Sequence, residues 1–93
     1  MAIEAIVLNQ EDNVATAVRR LESGDIVKIK DTASVVLCRD IPVGHKFARR
    51  DIESGGNIIK YGEIIGRATV KINQGEHVHI HNVEGLRGRG DRQ

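Results

Sequence analysis

Residues 76–82, reading EHVHIHN, hold three of the chain's four histidines, His77, His79 and His81, at alternate positions. In an extended segment successive side chains point to opposite faces, so the three imidazoles share one face while Val78 and Ile80 turn toward a core. Neutral imidazole offers a nitrogen lone pair to zinc, iron or manganese and titrates near neutrality. The face therefore reads as a metal, anion or acid–base site, against the blander alternative of an exposed polar strand. Side chains two apart on a strand lie about 6.6 Å from each other, close enough to converge on one ion. His77 and His81 are about twice as far apart. One ion takes His77 with His79, or His79 with His81, more easily than all three. A third ligand must come from elsewhere, such as His45 or a partner chain.

The fourth histidine follows Pro42, Val43 and Gly44. Proline fixes φ and glycine permits unusual backbone angles, so His45 and Lys46 are expected on a shaped loop of the kind that often carries function. Tyr61 is the only tyrosine. Core packing with a satisfied hydroxyl competes there with an acid–base role. Gly62 and Gly66 lack the strand-to-helix context of a phosphate loop and read as backbone punctuation.

The elements that must position these residues are mostly short strands. Residues 2–9 read as a strand. Asp12 or Asn13 can cap a helix with Val14, Ala17, Val18 and Leu21 on one face, closed by Arg19, Arg20 and Gly24. From Asp25 the pattern becomes strand-like: residues 26–30 and 35–41 form a hairpin around a turn at 31–34, with Cys38 expected to be buried and inert. Residues 49–54 suit a single helical turn, 57–72 supply two more strands, and 73–75 form the turn that delivers the histidine strand. The chain divides into a domain at 1–83 and a flexible Gly/Arg-rich tail at 84–93, whose arginines, Arg87 among them, could clamp a carboxylate. The fold class expected is mainly β with one or two short helices.

Composition excludes several classes. Ninety-three residues make one domain. A net charge of +1 and only 2% aromatic residues argue against nucleic-acid binding. The short apolar runs span no membrane, and residues 1–10 do not resemble a signal peptide. The lone Cys38 fits a reducing compartment, so the cytoplasm is expected.

Four motifs in order, DNVATAVRRL, IPVGHKFARRDI, IIKYGEIIGRA and GEHVHIHNV, resemble the small SAF-type domain of the altronate and galactarate dehydratase family. The resemblance covers roughly residues 12–82. It implies a β-clip fold, and a small subunit that works with a large catalytic subunit on a sugar-acid substrate. EHVHIHN looks like the altronate branch, and a similar pattern occurs in the small subunit of sulfolactate sulfo-lyase, whereas the galactarate branch usually lacks these histidines. The activity implied is a hydro-lyase reaction: a proton leaves the carbon beside a carboxylate, a divalent cation, Fe2+ or Mn2+, stabilises the charge, and a general acid protonates the departing hydroxyl. His77, His79 and His81 would be metal ligands, His45, Lys46 and Tyr61 catalytic groups, and Lys46, Asn82 and Arg87 substrate contacts. Competing expectations are a sulfo-lyase subunit, a non-catalytic SAF module that binds sugar acids or carbohydrates, and a structural adaptor. In isolation the exposed strand edges could pair two copies.

Overall fold

The structure, a computed structural model, describes residues 4–7, 9–29 and 34–85. These described residues form nine short strands: β1 (Ala5–Ile6), β2 (Val14–Ala17), β3 (Ile26–Val27), β4 (Val35–Val36), β5 (Lys46–Ala48), β6 (Asn57–Lys60), β7 (Glu63–Ala68), β8 (His77–Val78) and β9 (Val83–Gly85). All pairings are antiparallel. One sheet has the order β1-β2-β5-β8, a second is the β3-β4 hairpin, and the third has the order β6-β7-β9. This bent, mainly-β arrangement agrees with the expected SAF-type β-clip.

No helix occurs among the described residues. The helix expected from Asp12 to Gly24 is instead β2 followed by a turn. Val14, Ala17 and Leu21 are buried, as the helical spacing required, but so is Ala15, and Val18 is 39% exposed. β2 lies between β1 and β5, with Ala5 opposite Ala17 and Val14 opposite Ala48. Neighbours on both edges satisfy the backbone groups that a helix would satisfy internally. A central strand covered on both faces shows no polar alternation, so its pattern imitates helical spacing. The helical turn expected at 49–54 is likewise absent, because Ile52 is held in an antiparallel bridge to Ile72.

One local unit recurs four times. A buried aliphatic residue (Leu21, Ile41, Ile52, Ile72) opens it. Three residues later comes a glycine with φ of 91°, 83°, 83° or 89°, at Gly24, Gly44, Gly55 and Gly75. Three further on stands a buried Val27, Phe47, Ile58 or Val78. Each unit turns through a backbone bond of 2.8–3.0 Å: Asp25 N–H to the Glu22 carbonyl, His45 to Pro42, Gly56 to Glu53 and Glu76 to Asn73. The positive φ at the third turn position is what a type II turn demands, hence glycine. Leu21 bridges to Ile41 and Ile52 to Ile72, so the units are joined as two pairs.

The second half of the chain therefore repeats the first at constant spacing. Leu21 corresponds to Ile52, Leu37 to Ala68, Ile41 to Ile72 and Phe47 to Val78. There are two apolar clusters, one around Phe47, Leu21 and Ile41, the other around Ile58, Ile52 and Ile72 with Val14 and Ala48 of the first half packed into it. The correspondence extends to hydroxyls. Ser23 Oγ donates to the Cys38 carbonyl at 3.2 Å and Ser54 Oγ to that of Thr69 at 3.4 Å.

Two side chains differ from expectation because of where strands end or alternate. Val35 and Leu37 are buried while Val36 and Cys38 face outward, so the Cys38 thiol is exposed. Ile80 follows the end of β8 and is 84% exposed, not packed beside Val78. β9 carries the chain through Gly85, and the remainder of the tail, with Arg87, lies outside the described residues. No helix among the described residues is long and apolar enough to cross a membrane.

Candidate metal centre

β8 pairs with β5 so that Phe47 faces His77 and Lys46 faces Val78. Continuing that antiparallel register past the paired residues sets His45 opposite His79. Beyond Val78 the chain turns, with the Asn82 N–H donating to the His79 carbonyl at 3.1 Å. The Asn82 side chain organises this turn. Its Oδ1 accepts the His79 N–H at 2.9 Å and its Nδ2 donates to the His77 carbonyl at 2.8 Å. Asn82 is only 6% exposed, and both ends of its amide are committed to the backbone that carries the rings. Its part in the site is therefore positioning.

The four imidazoles are gathered by this seam. His45 and His79 stack with ring centroids 4.2 Å apart, His45 and His77 at 5.0 Å, and His77 and His79 at 5.4 Å. His45 Nδ1 lies 2.8 Å from His77 Nε2, a hydrogen bond when one of the two nitrogens carries a proton. One ring nitrogen from each of His45, His77 and His79 lies within 4.8 Å of the others. His81 is exposed, and its ring is tilted against His77 at 5.3 Å. The trio that converges thus takes its third nitrogen from the strand across, at His45, instead of from His81.

The trio fits a metal ion. A metal–imidazole bond is about 2.0–2.1 Å, which in a tetrahedral site puts ligand nitrogens roughly 3.4 Å apart. The 2.8 Å contact between His45 and His77 and the 4.8 Å limit on the trio lie on either side of that value. Lone pairs are also available. Burial, and then the positive charge of His45, His81, His79 and Lys46, holds His77 below the ordinary histidine pKa. Desolvation, followed by His45, Lys46 and His81, does the same for His79. Neutral rings are what a cation requires, and no carboxylate joins the trio among the described residues.

The other expected residues are placed separately. Lys46, expected on the loop after Gly44, instead opens β5 and pairs between Thr16 and Val78, and burial followed by the charge of Lys60 lowers its pKa. Tyr61 occupies the two-residue turn between β6 and β7, with φ of 57°. It is 54% exposed, with the Lys60 ammonium 4.7 Å from its ring centroid, and does not join the histidine cluster. Two residues that the sequence reading passed over, Arg39 and Lys71, line a groove of about 580 Å³ together with Glu76, His77 and His81. Alternation after buried Val35 and Leu37 would have turned Arg39 inward, but β4 ends at Val36 and Arg39 is exposed, so no local signal marked that edge.

Comparison with known proteins identifies the family of the chain. The family model for the altronate/galactarate dehydratase SAF domain matches residues 3–86. Altronate dehydratase of Escherichia coli is 45% identical over 80 residues, which are 86% of this chain but 16% of that protein. Altronate dehydratase of Bacillus subtilis is 37% identical over 79 residues, again 16% of its length. The (2R)-sulfolactate sulfo-lyase subunit alpha of Chromohalobacter salexigens is 39% identical over 90 residues, 90% of this chain and 96% of that subunit. The chain thus spans about a sixth of the two dehydratases and nearly all of the sulfo-lyase subunit. Its relatives are domains or subunits of lyases, and the chain belongs to the altronate/galactarate dehydratase SAF domain family.

Proposed function

We propose that this chain is the small component of a metal-dependent sugar-acid hydro-lyase of the altronate dehydratase type, completed by a larger catalytic partner. The observation that carries the reading is the convergence of His45, His77 and His79 nitrogens within 4.8 Å. The three imidazoles would hold Fe2+ or Mn2+, and the remaining positions would be filled by the partner and the substrate. When bound, the ion would act as a Lewis acid that stabilises negative charge on the substrate carboxylate as the neighbouring proton leaves. The residues of this chain have distinct tasks. His45, His77 and His79 would hold the ion, and Asn82 fixes the backbone that carries two of them. Lys46, half-buried and reduced in basicity, offers a short-range donor to a carboxylate or hydroxyl. His81, exposed and outside the trio, is free to deliver a proton to the departing group. The base that removes the first proton belongs to the partner.

A second reading, the small subunit of a sulfolactate sulfo-lyase, is favoured by the 39% identity to the sulfo-lyase subunit alpha over 90 residues. The match spans 96% of the sulfo-lyase subunit, so that relative is a chain of this size. Proton removal beside a carboxylate is common to both reactions, and sulfite leaves in place of water.

Calorimetric titration of the chain with Mn2+ and Zn2+ tests the centre. Saturable one-to-one binding is expected. His45→Ala and His79→Ala should each weaken it at least about tenfold, with His81→Ala within about threefold of the parent. Binding unaffected by His45→Ala would refute the trio. Altronate and sulfolactate turnover with the larger partner then separates the two readings.

A further inference from the structure

The groove of about 580 Å³ beside the histidine cluster has a charge arrangement of its own. Its lining includes Arg39, Asp40, Lys71, Glu76, His77 and His81. Both acids are already engaged. Asp40 Oδ2 receives Arg20 at 3.1 Å and its Oδ1 the Ser23 N–H at 2.9 Å, while Glu76 Oε1 accepts the Asn73 N–H at 2.6 Å. Lys71 is 3.6 Å from Glu53 in an exposed pair that another anion can readily displace. Arg39 forms no hydrogen bond or ion pair with the described residues, so its whole guanidinium fork is available. Its backbone is anchored, because the preceding Cys38 N–H donates to the Gly75 carbonyl at 2.9 Å, tying this segment to the turn that enters β8. The volume falls within the range of about 300–1,000 Å³ typical of small-molecule sites.

We propose that this groove is an oxyanion subsite in which Arg39, assisted by Lys71, seats the acid group of a small hydroxylated acid. A guanidinium fork matches the two oxygens of a carboxylate and also serves two oxygens of a sulfonate. His77 belongs both to the groove and to the metal trio. An acid held at Arg39 therefore lies in a groove that shares His77 with the trio. This deepens the lyase reading by naming the groups of this chain that would share the substrate's acid group with the ion, and it rests on that reading for its chemistry but not for its detection.

The arginine Nε–Hε resonances of the 15N-labelled chain provide the test, titrated with D-altronate, with 2-hydroxyethanesulfonate and with the uncharged polyol D-altritol. The Arg39 signal should shift with at least one acid, saturating at millimolar concentration, and should not respond to the polyol. Arg39→Gln should weaken the response of the His77 and His81 ring signals about tenfold, while Arg19→Gln, in an ion pair with Glu4, leaves it unchanged. Tighter altronate binding names a carboxylate site and tighter sulfonate binding a sulfonate site. An Arg39 signal unmoved by both acids, an equal shift with altritol, or an unaltered Arg39→Gln titration overturns the proposal. Run with a chelator present, the experiment is independent of metal. A chain that binds acid at Arg39 but no ion refutes only the metal centre, and one that binds the ion but no acid refutes only the subsite.

Discussion

Replacing Asn82 with alanine should loosen the histidine turn without touching a ring. The change deletes two hydrogen bonds, at 2.9 and 2.8 Å, and strips the partners from the His79 N–H and the His77 carbonyl. Each bond contributes about 0.5–1.5 kcal/mol net, so the expected loss of stability is about 2 kcal/mol. In a domain of this size 1 kcal/mol moves the melting temperature by roughly 4–8 °C, which puts the Asn82→Ala variant about 10 °C below the parent. Aspartate at the same position keeps the acceptor for His79 but cannot donate to His77, so Asn82→Asp should recover only part of the loss. Because the amide orients two of the three imidazoles, Mn2+ or Zn2+ affinity should fall about 10–100-fold in Asn82→Ala, the range seen when groups that orient metal ligands are removed. Thermal denaturation without metal and calorimetric titration with it measure the two effects separately. A variant that melts within about 2 °C of the parent and keeps its metal affinity would show that ring stacking alone holds the turn.

The four turn glycines should not be equivalent. A Cβ on Gly75 would lie 2.2 Å from the Val36 carbonyl oxygen, whereas one on Gly24 meets open space. Gly24→Ala should therefore cost only its backbone strain, about 1–2 kcal/mol, and Gly75→Ala should cost at least about 3 kcal/mol. Equal urea midpoints for the two variants would contradict the difference. The metal-free chain should also lose stability on acidification. His77 and His79 have lowered pKa values, so between those values and the unfolded value of about 6.5 the unfolded chain binds more protons, and stability rises with pH through that window. Urea midpoints that do not fall from pH 7.5 to pH 5 would oppose this, and His77→Asn should flatten the slope.

The mainly-β class, the shaped loop around Gly44 and the chemical weight of residues 76–82 were legible in the sequence, because turn glycines and alternating histidines are local signals. The helix expected at 12–24 failed where a non-local cause governed. Val14, Ala17 and Leu21 fit helical spacing, yet β2 is clamped between β1 and β5, and nothing within that window announces its neighbours. Strand alternation also overreached at Ile80, since β8 ends at Val78 and Asn82 pulls the following backbone into a turn. The choice of His45 over His81 for the converging trio depends on the β5–β8 register, which no single stretch encodes. The internal repeat was in plain view: LESGDIV recurs as IESGGNI, and IPVGHKF as INQGEHV. Its spacing exceeds the span of one element, so a reading made segment by segment passes over it.

The seam between β5 and β8 joins the corresponding arms of the two repeats, since Phe47 and Val78 hold the same place in each. Two identical arms meeting this way would line their common border with identical residues. Here both arms lie on one polypeptide, so a substitution in one is not copied into the other. The border has become lopsided: one side brings a single imidazole and an ammonium at His45 and Lys46, the other brings His77 and His79. A metal ion seated there would meet unlike neighbours on its two sides, and a substrate approaching it would meet two different walls. The repeat thus supplies a border with handedness, which the proposed hydro-lyase reaction would require to distinguish one hydroxyl of a sugar acid from the next.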